Sequence, residues 1–69
     1  MAEFELDGHD YIELHKLLQL VGMAPSGGAA KMFIAEGQVT VDGVVELRKR
    51  CKIRSGQVVE MAGESVQVV

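Results

Sequence analysis

Gly37-Gln38-Val39-Thr40-Val41-Asp42-Gly43 is the stretch at which this chain changes its period. Val39 and Val41 alternate with polar neighbours, the spacing of a strand with one buried face. Asp42-Gly43 is a strong two-residue hairpin signal, because a type I′ turn needs positive φ at both central positions. Val44-Val45 supplies the returning strand. Upstream of Gly37 the apolar residues recur at helical spacing instead. Leu14, Leu17, Leu18 and Val21 line one helix face, and Gly22 stands where a C-terminal glycine belongs. Asp10 and Glu13 are both candidates to cap its start. Pro25-Ser26-Gly27-Gly28 marks a second boundary, with Ser26 as the N-cap of a helix through Ala29, Ala30, Phe33 and Ile34 that stops at Gly37. The connection between the helices is about four or five residues, short enough that the two must pack on each other.

Outward from this core, Ser55-Gly56 reads as a turn, Val58–Met61 as a strand, Ala62–Glu64 as a turn and Val66–Val69 as the last strand. Near the start, Phe4-Glu5-Leu6 reads as a short edge strand ended by Asp7-Gly8. The expected architecture is α+β, two packed N-terminal helices followed by a small antiparallel sheet.

Composition bounds the rest. Sixty-nine residues predict a single domain, 1–69, near the lower limit for an unassisted hydrophobic core. With 48% hydrophobic but only 4% aromatic residues, that core must be aliphatic. Met23, Met32 and Met61 read as core fillers. One cysteine allows no internal disulfide and suits a reducing cytosol. No apolar run approaches the ~18 residues of a membrane span, so a soluble cytoplasmic protein is expected.

The formal charge is −3, which argues against nucleic-acid binding only as an average. Residues 1–13 carry Glu3, Glu5, Asp7, Asp10 and Glu13 and sum to −5, whereas residues 14–69 sum to +2. Local field, rather than total charge, governs the approach of a charged partner. Five of the seven basic residues lie in Arg48-Lys49-Arg50-Cys51-Lys52-Ile53-Arg54. Arg48, Arg50, Lys52 and Arg54 occupy alternate positions, with Cys51 and Ile53 between them. On an extended segment the four cations line one face roughly 6.6 Å apart, near the spacing of successive phosphates on an extended strand, while Cys51 and Ile53 point inward.

The order of elements, with these residues at these turns, resembles the small RNA-binding domain named after the fourth protein of the small ribosomal subunit, also called the αL motif. The resemblance covers about residues 11–61. It is carried by Leu14, Leu17, Leu18 and Gly22, then Ser26, Ala30 and Ile34, then the hairpin Gly37–Gly43 and the closing Gly56-Gln57-Val58-Val59. Gly27-Gly28-Ala29-Ala30-Lys31 and Glu46-Leu47-Arg48-Lys49-Arg50 resemble a stand-alone bacterial subgroup of that family. The resemblance implies binding to structured RNA, often ribosomal, by a module without catalysis. Two positions depart from the wider pattern: Gly27 stands where an RNA-facing arginine is usual, with Lys31 one turn on, and Ile12-Glu13 replaces a basic opening of the first helix.

Residue chemistry points the same way. The amides at Ser26, Gly27 and Gly28, with Lys31 nearby, read either as an anion seat at a helix N-terminus or as an ordinary cap with a tight turn. Lys16 extends the polar face of the first helix. His15 has only His9 and Cys51 as soft partners, too few for a metal site. No cofactor, metal, small-molecule substrate or nucleophile motif is indicated, and an enzyme is not expected. Few aromatic residues disfavour base-stacking platforms and favour backbone and shape recognition. The expected interface is Lys31, Arg48, Lys49, Arg50, Lys52 and Arg54, with Ser26, Gly27, Gly28 and Lys16, on a monomer. The alternative is a protein-interaction adaptor whose basic strand docks an acidic partner.

Overall fold

The computed structural model describes residues 2–69. Its elements follow in the order β1 (Ala2–Phe4), β2 (Ile12–Glu13), α1 (Leu14–Leu20), α2 (Gly27–Ala35), β3 (Thr40–Val41), β4 (Val44–Val45), β5 (Lys52–Ile53), β6 (Val58–Met61) and β7 (Glu64–Val68). Both helices close by the same device. In α1 the Gly22 amide donates to the Gln19 carbonyl at 3.2 Å and the Met23 amide to Leu18 at 2.9 Å. In α2, Gly37 donates to Ile34 at 3.0 Å and Gln38 to Phe33 at 3.1 Å. This paired closure needs a left-handed residue just past the helix, and Gly22 and Gly37 supply it at φ +79 and +77.

The helices start differently. The Ser26 hydroxyl accepts the Ala29 amide at 3.1 Å, as its sequence position predicts. Glu13 occupies the N-cap of α1, yet its carboxylate takes no helix amide, and Asp10 lies outside the cap. The Leu14 and His15 amides donate instead to the carbonyls of Cys51, at 2.9 Å, and Lys49, at 3.0 Å. The cap of α1 thus comes from the far half of the chain.

One sheet has the strand order β1-β7-β6-β3-β4, and β2 pairs with β5 in a second. The β3–β4 hairpin turns at Asp42 and Gly43, with φ of 51 and 82, the type I′ signature. Asp42 also fastens the hairpin to β6: its Oδ1 accepts the Val58 amide at 2.9 Å and its own amide donates to the Val58 carbonyl at 2.8 Å. Ala62-Gly63 makes a second turn with both φ positive, joining β6 to β7.

The sheet is mixed rather than purely antiparallel, because β1 pairs with β7 in parallel. A parallel pair needs a long crossover, and here the rest of the fold supplies it. The first strand lies at Ala2–Phe4 instead of Phe4–Leu6. Beyond it the chain stays tied to the C-terminal edge, with the Val69 amide donating to Phe4 and the Leu6 amide to Val69. The last strand begins earlier than expected, at Glu64, because the tight Ala62-Gly63 turn starts the ladder immediately.

Leu14, Leu17 and Leu18 of α1, Ala30 and Ile34 of α2, and Val39, Ile53, Val59, Val66 and Val68 join in one buried aliphatic cluster. Met61 belongs to it and Met23 packs at its margin, but Met32 is 52% exposed on α2, contrary to its reading as core. Phe33 and Ala29 are half-buried. Val44 and Val45 are exposed, because β4 ends the sheet and nothing covers it.

Two substitutions test this framework. A Cβ on Gly43 meets no neighbour within 4 Å, so Gly43→Val acts through backbone torsion alone. It should lower stability by about 1–3 kcal/mol, read as a depressed thermal midpoint. Ile53→Ala empties a fully buried site and should cost about 2–4 kcal/mol in denaturant unfolding.

Candidate nucleic-acid interface

The short β2–β5 ladder sets the geometry of the basic region. Ile12 faces Ile53 and Glu13 faces Lys52. Ile53 is fully buried and Ile12 packs against the core, so Tyr11, Glu13, Lys52 and Arg54 alternate onto the outer side. There the Lys52 Nζ lies 5.1 Å and the Arg54 Cζ 5.7 Å from the centre of the Tyr11 ring.

Residues 48–54 are not one extended ridge. Only Lys52–Ile53 is strand, while Lys49 and Arg50 form a turn closed by the Cys51 amide on the Arg48 carbonyl at 3.0 Å. Two local demands bend the chain. The Lys49 and Cys51 carbonyls must face the first turn of α1. Glu46 draws Arg48 back as well, through Oε2 to the Arg48 amide at 2.9 Å and to Nε at 3.0 Å, and through Oε1 to Nη2 at 3.1 Å. The even cation spacing is therefore lost. The inward placement of Ile53 holds, and Cys51 is half-buried.

Arg48, Arg50 and Lys52 line one open depression together with Cys51. The hydrogen bonds from the Arg48 side chain and amide hold the Glu46 carboxyl down at about 2, against a usual value of 4.5. Burial, followed by the neighbouring Glu46 carboxylate, pushes the Cys51 thiol up, away from the reactive thiolate. Glu13 lies within the same basic region. Burial raises its pKa, but the His15 hydrogen bond at 3.2 Å and the charges of Lys16 and Arg50 outweigh this and hold it below the usual value.

Lys16 is exposed and 3.7 Å from Glu13. Arg50, Lys49, Lys52, Arg54 and Lys31 make no ion pair among the described residues. Ser26, Gly27 and Gly28 sit elsewhere. A Cβ on Gly27 would meet the Gln19 Oε1 at 3.4 Å, which places this helix start beside the C-terminal half of α1. The basic turn caps the other end of the seven-residue α1, about 10 Å away. Neither Gly27 nor Gly28 has positive φ, so glycine there leaves the helix start bare without being demanded by the backbone. A separate depression, lined by Ala2, Val21, Gly22, Met23, Gly63, Glu64, Ser65 and Val66, contains no cation and is unsuited to phosphate.

Sequence reasoning missed Tyr11, the β2 strand and the two carboxylates within the basic region. β2 is only two residues long and its partner lies far along the chain, so no local period announces it. The Glu46-x-Arg48 spacing was the one available signal for the ion pair.

The model of the family described as the S4 domain matches residues 4–69. This chain belongs to the S4-domain family. It is 61% identical over 69 residues to YbcJ of Escherichia coli (strain K12), and equally to YbcJ of Shigella flexneri, over 100% of this chain and 99% of each relative. The solution structure of E. coli YbcJ, described as revealing an αL motif involved in RNA-binding, matches with a TM-score of 0.78 and 61% identity. That match covers 100% of this chain and 87% of the other. The α+β arrangement of helices and sheets is that of the αL fold.

The Glu46 bonds carry a pH signature. The folded carboxyl binds its proton less readily than the unfolded one, so protonation favours unfolding. Its contribution is complete above the unfolded value of 4.5 and is lost as pH falls through about 2. Acid titration of stability should show that loss in the wild type and a flatter limb in Glu46→Gln.

Proposed function

We propose that this S4 domain is a non-catalytic, monomeric, cytoplasmic module that binds structured RNA through its backbone, ribosomal RNA being one candidate. The observation that carries this reading is the exposed group Arg50, Lys52 and Arg54, without ion-pair partners among the described residues, on a segment anchored by Ile53 and the α1 cap. Lys49 extends the group on the turn, and Arg48 borders it with its charge already matched by Glu46. Lys16 flanks it from α1, and Lys31 with Ser26, Gly27 and Gly28 offers a second phosphate contact at the start of α2. The RNA-binding description of the YbcJ structure supports extending the same activity to this chain.

Phosphate contacts release counterions, so affinity must fall with salt. With three to five phosphates engaged, log K against log salt should have a slope of about −2 to −4.5. Arg50→Ala and Lys52→Ala should each lower affinity for all structured RNAs alike and reduce that slope by about 1. Joint removal of the matched pair, Glu46→Gln with Arg48→Ala, should leave the slope unchanged. A slope near zero would sink the RNA reading. Retention of an acidic protein after nuclease treatment would favour the adaptor instead.

A further inference from the structure

Backbone recognition gives no role to Tyr11, the sole tyrosine of a chain without tryptophan. It is 40% exposed on the outer side of the β2–β5 ladder, in the middle of the basic region. The register sets it opposite Arg54 and diagonal to Lys52, whose charged groups lie 5.7 and 5.1 Å from the ring centre. Both cations come from β5 and the residue after it and lie over the ring, bracing it while part of the residue stays exposed. A braced aromatic ring loses little freedom on binding. Every nucleobase offers a π face, and a base that takes the place of these two exposed cations over the ring leaves them within reach of its flanking phosphates.

We infer that Tyr11, with Lys52 and Arg54, is a stacking seat for one unpaired nucleotide, so that this surface selects RNA carrying a bulged, looped or terminal base over continuous duplex. The inference rests on the RNA reading above and adds the class of RNA. A duplex keeps its bases stacked on one another and has no face to offer the ring. Glu13, across the ladder from Lys52, adds negative charge on the other flank and steers the phosphates toward Arg54.

The test titrates the full chain with three blunt-ended, two-stranded RNA duplexes of one sequence: continuous, with a single-nucleotide bulge, and with an abasic residue at the bulge. The bulged duplex should bind about 10-fold more tightly than the other two. Tyr11→Ala should erase that difference without changing the salt slope, and Tyr11→Phe should preserve it. A 2-aminopurine at the bulge should be quenched by wild type and Tyr11→Phe but not by Tyr11→Ala. Equal, salt-dependent binding to all three duplexes overturns the stacking seat and leaves the RNA reading standing. A bulge preference that survives Tyr11→Ala also overturns it. Absence of salt-dependent binding to any of the three duplexes overturns both.

Discussion

Two hydrogen bonds, from the Leu14 and His15 amides to the Cys51 and Lys49 carbonyls, hold the basic segment in its shape. The first amides of a helix have no partner within it, and Leu14 is fully buried, so its amide is closed to water. An unmet buried donor costs about 1–3 kcal/mol, comparable to a substantial share of a small domain's stability. Residues 49–51 therefore curl to present alternate carbonyls to α1. That curl throws the Lys49 and Arg50 side chains outward and delivers Ile53 to the core. The exposed cations are a by-product of satisfying a helix end.

Charge is arranged on the same scale. Glu46 and Glu13 sit among the cations, and each is held ionised by its neighbours. Glu46 is spent on orienting Arg48 and the turn, so the pair contributes little net field. Arg50, Lys52 and Arg54 remain outside that neutralisation. A chain of net charge −3 thereby keeps a compact positive face, and Tyr11 lies within it.

Much of the fold was legible because it is written in local chemistry. Gly22 and Gly37 stop helices where left-handed geometry is required, Ser26 caps α2, and Asp42-Gly43 turns the hairpin. What escaped reading is contact between distant segments. The cap of α1, the parallel partner of β1 and the pairing of Ile12 with Ile53 join the first quarter of the chain to its second half, and no periodicity encodes such a match. At the candidate site the cationic residues were legible by type, and the inward turn of Ile53 by alternation. Their even spacing was not realised, because Glu46 and the α1 cap bend the segment. Tyr11 was passed over because scarcity of aromatic residues says nothing about where the one tyrosine sits.

The parallel pairing of β1 with β7 also imposes an order of events. Ala2, Glu3 and Phe4 meet their partners Val66, Gln67 and Val68 only after both helices and the hairpins between them have been made. During synthesis the helices and the Asp42-Gly43 hairpin can assemble from near neighbours, while the first strand waits with open backbone groups. Contacts of such sequence separation form late and slowly. Completion of the sheet is thus postponed until β7 has been made, and that strand acts as the latch that captures the first.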